Sequence, residues 1–406
     1  MSVLAFAILK HRKTSEIPCG EPSPLQEGER STTTIAIPPF SSSKMPYTIL
    51  VGAYSKVITT LSFDPSTSPA TLKVVGTSPA GFNPSWIAQH PTDKSLIFAS
   101  NEADEGKVLM FKVKPDGTLD LIQTASSGGA GTCHLHIGEN EVVACNYSSG
   151  SIQTFPLSLS PPILLAPTTA PVKFEFPGEG PNKDRQESSH PHQIYPHPSG
   201  KTLLVPDLGS DKIWRLKRDE ESKAWKLDDA IPTIRGGGPR HIVVKENGLY
   251  IINELHSTVS HFSYAGKATE VKTVPGVRSP DKLAENMLGA EILLSEPTAT
   301  FPDTLIYASN RNDPHPEGDT IVIFKPADES SEFEMIGQVR TGLHHLRGVA
   351  FDGEEGKYLF VAGLDQPGVK GGGIKVYERV DKGRSLVEVA HLKEDQVENP
   401  TGLVIL

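Results

Sequence analysis

The chain has 406 residues, 37% hydrophobic and 22% charged, with 36 Gly and 34 Pro, a globular composition rich in turns. A formal net charge of -10 gives no electrostatic footing for a nucleic-acid partner, and no apolar run reaches the length of a membrane span. Three cysteines, Cys19, Cys133 and Cys145, are too few and too scattered for a disulfide framework or a zinc site, which points to a reduced, cytoplasmic protein.

The opening MSVLAFAILKHRK holds a short apolar stretch with its basic residues after it, the reverse of a secretory leader. Residues 14–44 are rich in Ser, Thr, Pro and Glu, and such a segment buries too little apolar surface to order itself. The expected organisation is a disordered extension over residues 1–44 and one folded domain over 45–406.

Within that domain one unit recurs. After YTILVGAY, KVITTLSF and TLKVVGT, a strand signal appears as PSWIAQH at 84, TCHLHIG at 132 and PHQIYPH at 191. It returns as PRHIVVK at 239, GAEILLS at 289, LRGVAFD at 346 and PTGLVIL at 400. Each of the first six is followed by a second strand, such as LLVPDLG or LYIINEL, then a third, such as KIWRLKR or TVSHFSY, then a weaker fourth. Alternating β-branched and aromatic residues between Gly, Pro, Asn and Asp turns read as strands, not helices. Four short strands repeating about every 50 residues make a propeller blade. The chain starts with strands two to four of a blade and ends with a strand one. The prediction is an all-β, seven-bladed propeller, its ring closed by the C-terminal strand pairing with the N-terminal segment, which also covers exposed edges.

Strands in a blade run antiparallel, with strand one lining the channel, so the start of strand one lies beside the end of strand two. His192 and Arg240 open strands one; Glu254 and Arg311 close strands two. All four are expected at one channel mouth. The long connections 176–191, 276–286, 311–319 and 365–373 belong to the same mouth, and long loops on one end of a rigid scaffold usually carry the binding site. Arg347 opens another strand one and adds positive charge. His134 holds the position near His192 in the preceding blade and is expected to line the mouth. Asn101, Asn253 and Asn310 read as blade-turn residues, and Asp207 equally as a blade hydrogen bond or a site group. His197 belongs to the opposite end. His241, next to Arg240, is expected on the opposite strand face as a packed or hydrogen-bonded histidine. Trp86 near the rim reads as blade packing. His344 and His345 sit in a loop. No group has metal-ligand spacing, no nucleophile-elbow pattern occurs, and neither metal nor cofactor is expected.

The segments GEGPNKDRQESSHPHQIYPHPSGKTLLVPDLGSDKIWRL, GPRHIVVKENGLYIINELHSTVSHF and AENMLGAEILL…LIYASNRNDP, in this order, resemble the lactonase-type seven-bladed propellers. That group includes the propeller 6-phosphogluconolactonases and the fungal 3-carboxy-cis,cis-muconate lactonizing enzymes. The resemblance covers residues 46–406. It implies a lactone site in which His192, Arg240, Glu254 and Arg311 stand where the muconate enzymes place a His, an Arg, a Glu and a second Arg. EGPNKDRQESSHPH, VPDLGSDKI and INELHSTV resemble the phosphogluconolactonase branch.

Lactone hydrolysis needs an activated water, a stabilised oxyanion and an anchor for the substrate's anionic group. Arg holds carboxylate or phosphate through a planar fork and stays charged. Two Arg beside Glu254 would depress its pKa, leaving it a weak base but a good orienting partner. His192 is therefore the preferred general base or acid. The expected protein is a monomeric, cytoplasmic hydrolase of an anionic lactone, with 6-phospho-D-glucono-1,5-lactone the leading substrate and Arg240, Arg311, Arg347 and His134 binding it. The alternatives are cyclisation of 3-carboxy-cis,cis-muconate, which the same groups suit, and a non-catalytic protein-binding propeller, since fold does not fix function.

Overall fold

The computed structural model describes residues 45–263, 272–274, 287–328, 332–353, 355–365 and 370–406. The predicted extension over residues 1–44 and the predicted loop 276–286 lie outside the described residues, as do residues 366–369 of the loop 365–373. Seven antiparallel sheets follow one another along the chain. Six are consecutive in sequence. The remaining one joins Tyr47–Ala53, Val57–Asp64 and Thr71–Pro79 to the C-terminal Pro400–Ile405. Ile49 faces Ile405, Leu50 faces Val404 and Val51 faces Leu403, so the ends of the domain share one blade.

Period-two alternation explains how the blades stack. Side chains along a strand point alternately to opposite faces, and both faces of a blade are covered by neighbours. In the second strand Thr202–Asp207 of the fourth blade, Leu203 and Val205 pack with Cys133, Val143 and Ile152 of the third. Leu204, between them, packs with Ile242, Leu249 and Ile251 of the fifth. The middles of the second strands are therefore apolar on both faces, as LLV or LYII read in the sequence. One apolar cluster fills each blade interface, including the closing one, where Ile49, Val51, Leu61 and Phe63 meet Phe360, Ile374 and Val376. Phe63 and Phe360 meet edge to face with ring centroids 5.6 Å apart.

Two blades have an irregular strand. PHQIYPH, read as a full inner strand, pairs only through Tyr195–Pro196 and an isolated bridge between Pro191 and Asp207. Pro191 and Pro196 have no N–H to give to the ladder, which breaks it. In the third blade the outer strand is split into Pro162–Leu164 and Val172–Lys173.

Candidate active site

The blade ladder sets the site. Pro239 pairs with Asn253, and Leu288 with Arg311, so inner-strand starts lie beside second-strand ends. Glu254 follows Asn253 and is fixed by its own backbone: its N–H donates to Gly238 O at 2.8 Å, and its C=O accepts from Gly289 N at 2.9 Å. Both glycines are needed. Gly238 has φ +63, a left-handed conformation that a side chain disfavours, and a Cβ on Gly289 would stand 2.9 Å from Asn253 O.

A β-bulge recurs at the mouth end of the inner strands. The register shifts between Thr132 and His134, Pro239 and His241, Gly289 and Ile292, and Leu346 and Gly348. A bulge inserts one residue and re-aims side chains. Arg240 and His241, adjacent in sequence, therefore both reach Glu291: Arg240 Nη1 donates to its Oε1 at 2.8 Å, and His241 Nδ1 lies 2.8 Å from its Oε2. The expectation that His241 turns away from the site is corrected here. It assumed an unbroken alternation that the bulge removes.

Three guanidinium groups converge on Glu254. Arg185 Nη2 stands 2.6 Å from Oε1, Arg311 Nη2 2.7 Å from Oε2, and Arg240 Nε 3.1 Å from Oε2. Arg240 Nη1 also donates to Ala290 O, and Arg311 Nη2 to Gly289 O, tying each cation to the sixth blade's inner strand. Arg347 Nη2 donates to Tyr54 Oη at 2.6 Å, and Tyr54 in turn donates to Glu102. Four guanidinium groups thus face Glu254 and Glu291, with Glu102 at the edge. The mouth is net positive in a chain of formal charge -10. Arg240 Nε is held by Glu254, whereas Arg311 Nε is buried and makes no hydrogen bond among the described residues, so donor capacity remains on Arg311.

The histidines form the adjoining wall. His192 Nδ1 lies 3.2 Å from His241 Nε2, and the His192 ring stands edge-on to Tyr147. His134 packs its ring 4.2 Å from that of Trp86, and its Nδ1 accepts from Ile194 N–H. Trp86 also meets His241 edge-on, so this residue, read as blade packing, also borders the cluster. His345, with φ +50, bonds Asn312 Oδ1 at 2.8 Å.

Burial and charge set the protonation states. Burial pushes the Glu254 carboxyl up, but Arg311, Arg185 and Arg240 together outweigh it and hold it far below the usual carboxylate range. Glu291 is likewise pushed up by burial and pulled down, to about 2, by His241 and Arg240. Burial lowers His192 well below its ordinary value, and the positive charge of Arg240 lowers it further. Burial lowers His134 and His241 too, and burial with Arg311 and Arg347 brings His345 to about 3. At neutral pH the mouth therefore holds fixed cations, two carboxylates and uncharged imidazoles.

The structure brings His192, Arg240, Glu254 and Arg311 together, with Arg347 on the rim and His134 one ring further along the wall. Asn253 and Asn310 are blade-turn residues: Asn253 Nδ2 donates to Thr258 and Ser260, and Asn310 Oδ1 accepts from Thr320. Asp207 serves the blade, accepting from Ser189, Gly209 N–H and Trp214 Nε1. His197 lies in the turn at the other end. Sequence reasoning missed Arg185, Glu291 and the part played by His241. Arg185 lies inside the quoted motif EGPNKDRQESSHPH, and Glu291 stands third in GAEILLS, the place of His241 in PRHIVVK. Among the described residues no three His, Cys, Asp or Glu converge as metal ligands.

The family model described as "Lactonase, 7-bladed beta-propeller" matches residues 48–403. The chain is 29% identical to the 6-phosphogluconolactonase of Formosa agariphila, over 74% of this chain and 84% of that protein. It is 27% identical to the 6-phosphogluconolactonase of Bacillus subtilis, over 70% of this chain and 78% of the relative. A solved structure of a putative 6-phosphogluconolactonase from Bacteroides fragilis superposes with a TM-score of 0.74 at 29% identity, covering 90% of this chain and 99% of that one.

Proposed function

The chain belongs to the seven-bladed β-propeller lactonase family, and from that membership we propose that its mouth cluster hydrolyses 6-phospho-D-glucono-1,5-lactone to 6-phosphogluconate. The observation that carries the substrate class is the net positive mouth in a strongly acidic chain, with Arg311 Nε left without a hydrogen bond among the described residues. The proposal rests also on the names of the relatives in Formosa agariphila and Bacillus subtilis.

His192 is the general base. Its Nε2 makes no hydrogen bond among the described residues and takes a proton from water as the water oxygen bonds to the lactone carbonyl carbon. The negative charge that develops on the carbonyl oxygen is met by Arg240 or Arg311, a contribution of about 3 kcal/mol for one well-placed donor. The intermediate collapses, the bond from the carbonyl carbon to the ring oxygen breaks, and the imidazolium returns its proton to that oxygen. The products are a hydroxyl and a carboxylic acid, which ionises and releases a proton. Glu254 is too weak a base for the first step, held as it is by three cations. Its task is to hold Arg185, Arg240 and Arg311 in place, as their shared counter-charge. Arg347 and His134 complete the binding wall. General-base catalysis by His192 contributes on the order of a hundred- to ten-thousand-fold.

We place the enzyme in the cytoplasm as a monomer: one chain supplies every member of the cluster, so the site needs no second copy, and the buried free thiols of Cys133 and Cys145 suit a reducing compartment. The test is proton release from freshly prepared lactone by the wild type and by His192→Ala. Turnover above spontaneous opening, lost in a folded variant, supports the proposal; equal rates in the two proteins would remove it.

A further inference from the structure

Taking the hydrolase reading as its premise, we propose that Glu291 and His241 are positioning residues that fix the tautomer of His192, keeping its proton on Nδ1 and its Nε2 lone pair free for water. The chain of contacts admits one assignment. Glu291 faces Arg240 Nη1 through Oε1 and His241 Nδ1 through Oε2, both at 2.8 Å. An ionised carboxylate only accepts hydrogen bonds, so His241 carries a proton on Nδ1. The other ring nitrogen, His241 Nε2, has two neighbours, Arg240 Nη1 at 3.4 Å and His192 Nδ1 at 3.2 Å. Arg240 Nη1 spends its N–H groups on Ala290 O and Glu291 Oε1, so it acts on His241 Nε2 through charge: burial and this guanidinium disfavour a second proton on the ring, the imidazole is neutral, and Nε2 keeps its lone pair as an acceptor. His192 Nδ1 must then be the donor. With one proton on a neutral ring, Nε2 keeps its lone pair.

A carboxylate acceptor at one end of His241 and a guanidinium at the other therefore decide which nitrogen of His192 is basic. The alternative tautomer would turn two lone pairs toward each other in a buried contact and leave the catalytic nitrogen protonated. The tautomer of an imidazole is set by the hydrogen bond its other nitrogen makes, and here that bond is anchored to a carboxylate through a second imidazole. The groups that face His192 are consistent with this. His241 and Arg240 come from the fifth blade, the Tyr147 ring from the third, and Arg347, from the seventh, acts at longer range. None of these is an acceptor that would draw a proton to Nε2.

The test is long-range proton–nitrogen NMR on the uniformly nitrogen-15-labelled full chain at neutral pH, with the His192 signals assigned by their loss in His192→Gln. Wild type is expected to show a protonated Nδ1 and an unprotonated Nε2 on His192. In His241→Phe, which keeps a ring in place but removes the acceptor, the two tautomers are expected to mix. The kcat on the lactone should fall on the order of tenfold, less than the full worth of a general base, while KM stays within about threefold because Arg240 keeps Glu291. Glu291→Gln, which retains an acceptor for Arg240, should move kcat and the His192 tautomer in the same direction. A protonated Nε2 on His192 in wild type overturns the proposal, whatever the variants do. So does a folded His241→Phe with wild-type kcat. A wild type without lactonase activity whose His192 is protonated on Nδ1 would instead defeat the hydrolase premise and leave the tautomer assignment standing.

Discussion

Replacing Glu254 by Gln removes one negative charge and leaves the shape and one acceptor oxygen. Arg185, Arg240 and Arg311, now 2.6, 3.1 and 2.7 Å from that carboxylate, would face a neutral amide. Breaking a buried ion pair by deleting one partner costs about 3–5 kcal/mol, because the remaining charge is buried without compensation. Arg185 is about a third exposed and water screens its share, so the expectation lies at the lower end, about 3 kcal/mol. With an unfolding entropy of about 2.1 cal/mol/K per residue over residues 45–406, the midpoint should fall by about 4 °C. The pH dependence has a definite sign. The folded-state pKa of Glu254 lies below its unfolded value, so its stabilisation is fully present above the unfolded carboxylate range and is lost as pH falls toward the folded value. Thermal unfolding followed by circular dichroism should thus show a constant gap between wild type and variant from about pH 5.5 to 8, narrowing below about pH 4.5. Inorganic phosphate should raise the variant's midpoint more than the wild type's, since it can take the place of the missing anion. A midpoint within 1 °C of wild type at pH 7, or a gap that widens on acidification, would mean that Glu254 is not the counter-charge of the three guanidinium groups.

Three further outcomes are expected. Arg311→Met removes a charge-assisted donor worth about 1.5–3 kcal/mol and should lower kcat/KM on the phosphorylated lactone by roughly ten- to a hundredfold, mostly through KM; a change under twofold would place Arg311 outside substrate binding. Because burial and Arg240 depress His192, kcat/KM should stay flat down through about pH 6, and an acid limb centred at or above the ordinary histidine value near 6.5 would contradict a neutral buried base. Deleting residues 400–406 removes the strand that pairs with Tyr47–Ala53 and leaves the edge of Tyr47–Ala53 unpaired. Gel filtration should find aggregate, and a soluble, cooperatively folding monomer would show that closure is dispensable.

Much of this molecule is legible in the sequence because the fold repeats. Seven inner-strand segments in phase give the blade count, and the incomplete first and last blades give the closing pair, since neither can bury its faces alone. The repeat also carries His192, Arg240, Glu254 and Arg311 to one mouth, because antiparallel pairing places strand starts beside strand ends. What fails is what the ideal strand hides. Strict alternation turns His241 away from Arg240, whereas the bulge at Pro239–His241 turns both inward. Bulges leave no reliable mark in a single segment. Stacking the segments does show a column, Trp86, His134, His241 and Glu291, whose polar and aromatic members have no place in an ordinary blade core. Arg185 is unreadable for another reason: it comes from the long connection 176–191, and no periodicity says where a loop side chain reaches.

In the proposed reaction the cationic mouth recognises the anionic group of a lactone while His192 activates water. This is tested most directly by the ratio of kcat/KM for 6-phospho-D-glucono-1,5-lactone to that for the unphosphorylated lactone, measured by proton release on wild type. The guanidinium contacts predict a ratio of about a hundred or more. A ratio near one would contradict recognition of the anionic group by the mouth, and turnover confined to the cyclisation of 3-carboxy-cis,cis-muconate would contradict the hydrolase function.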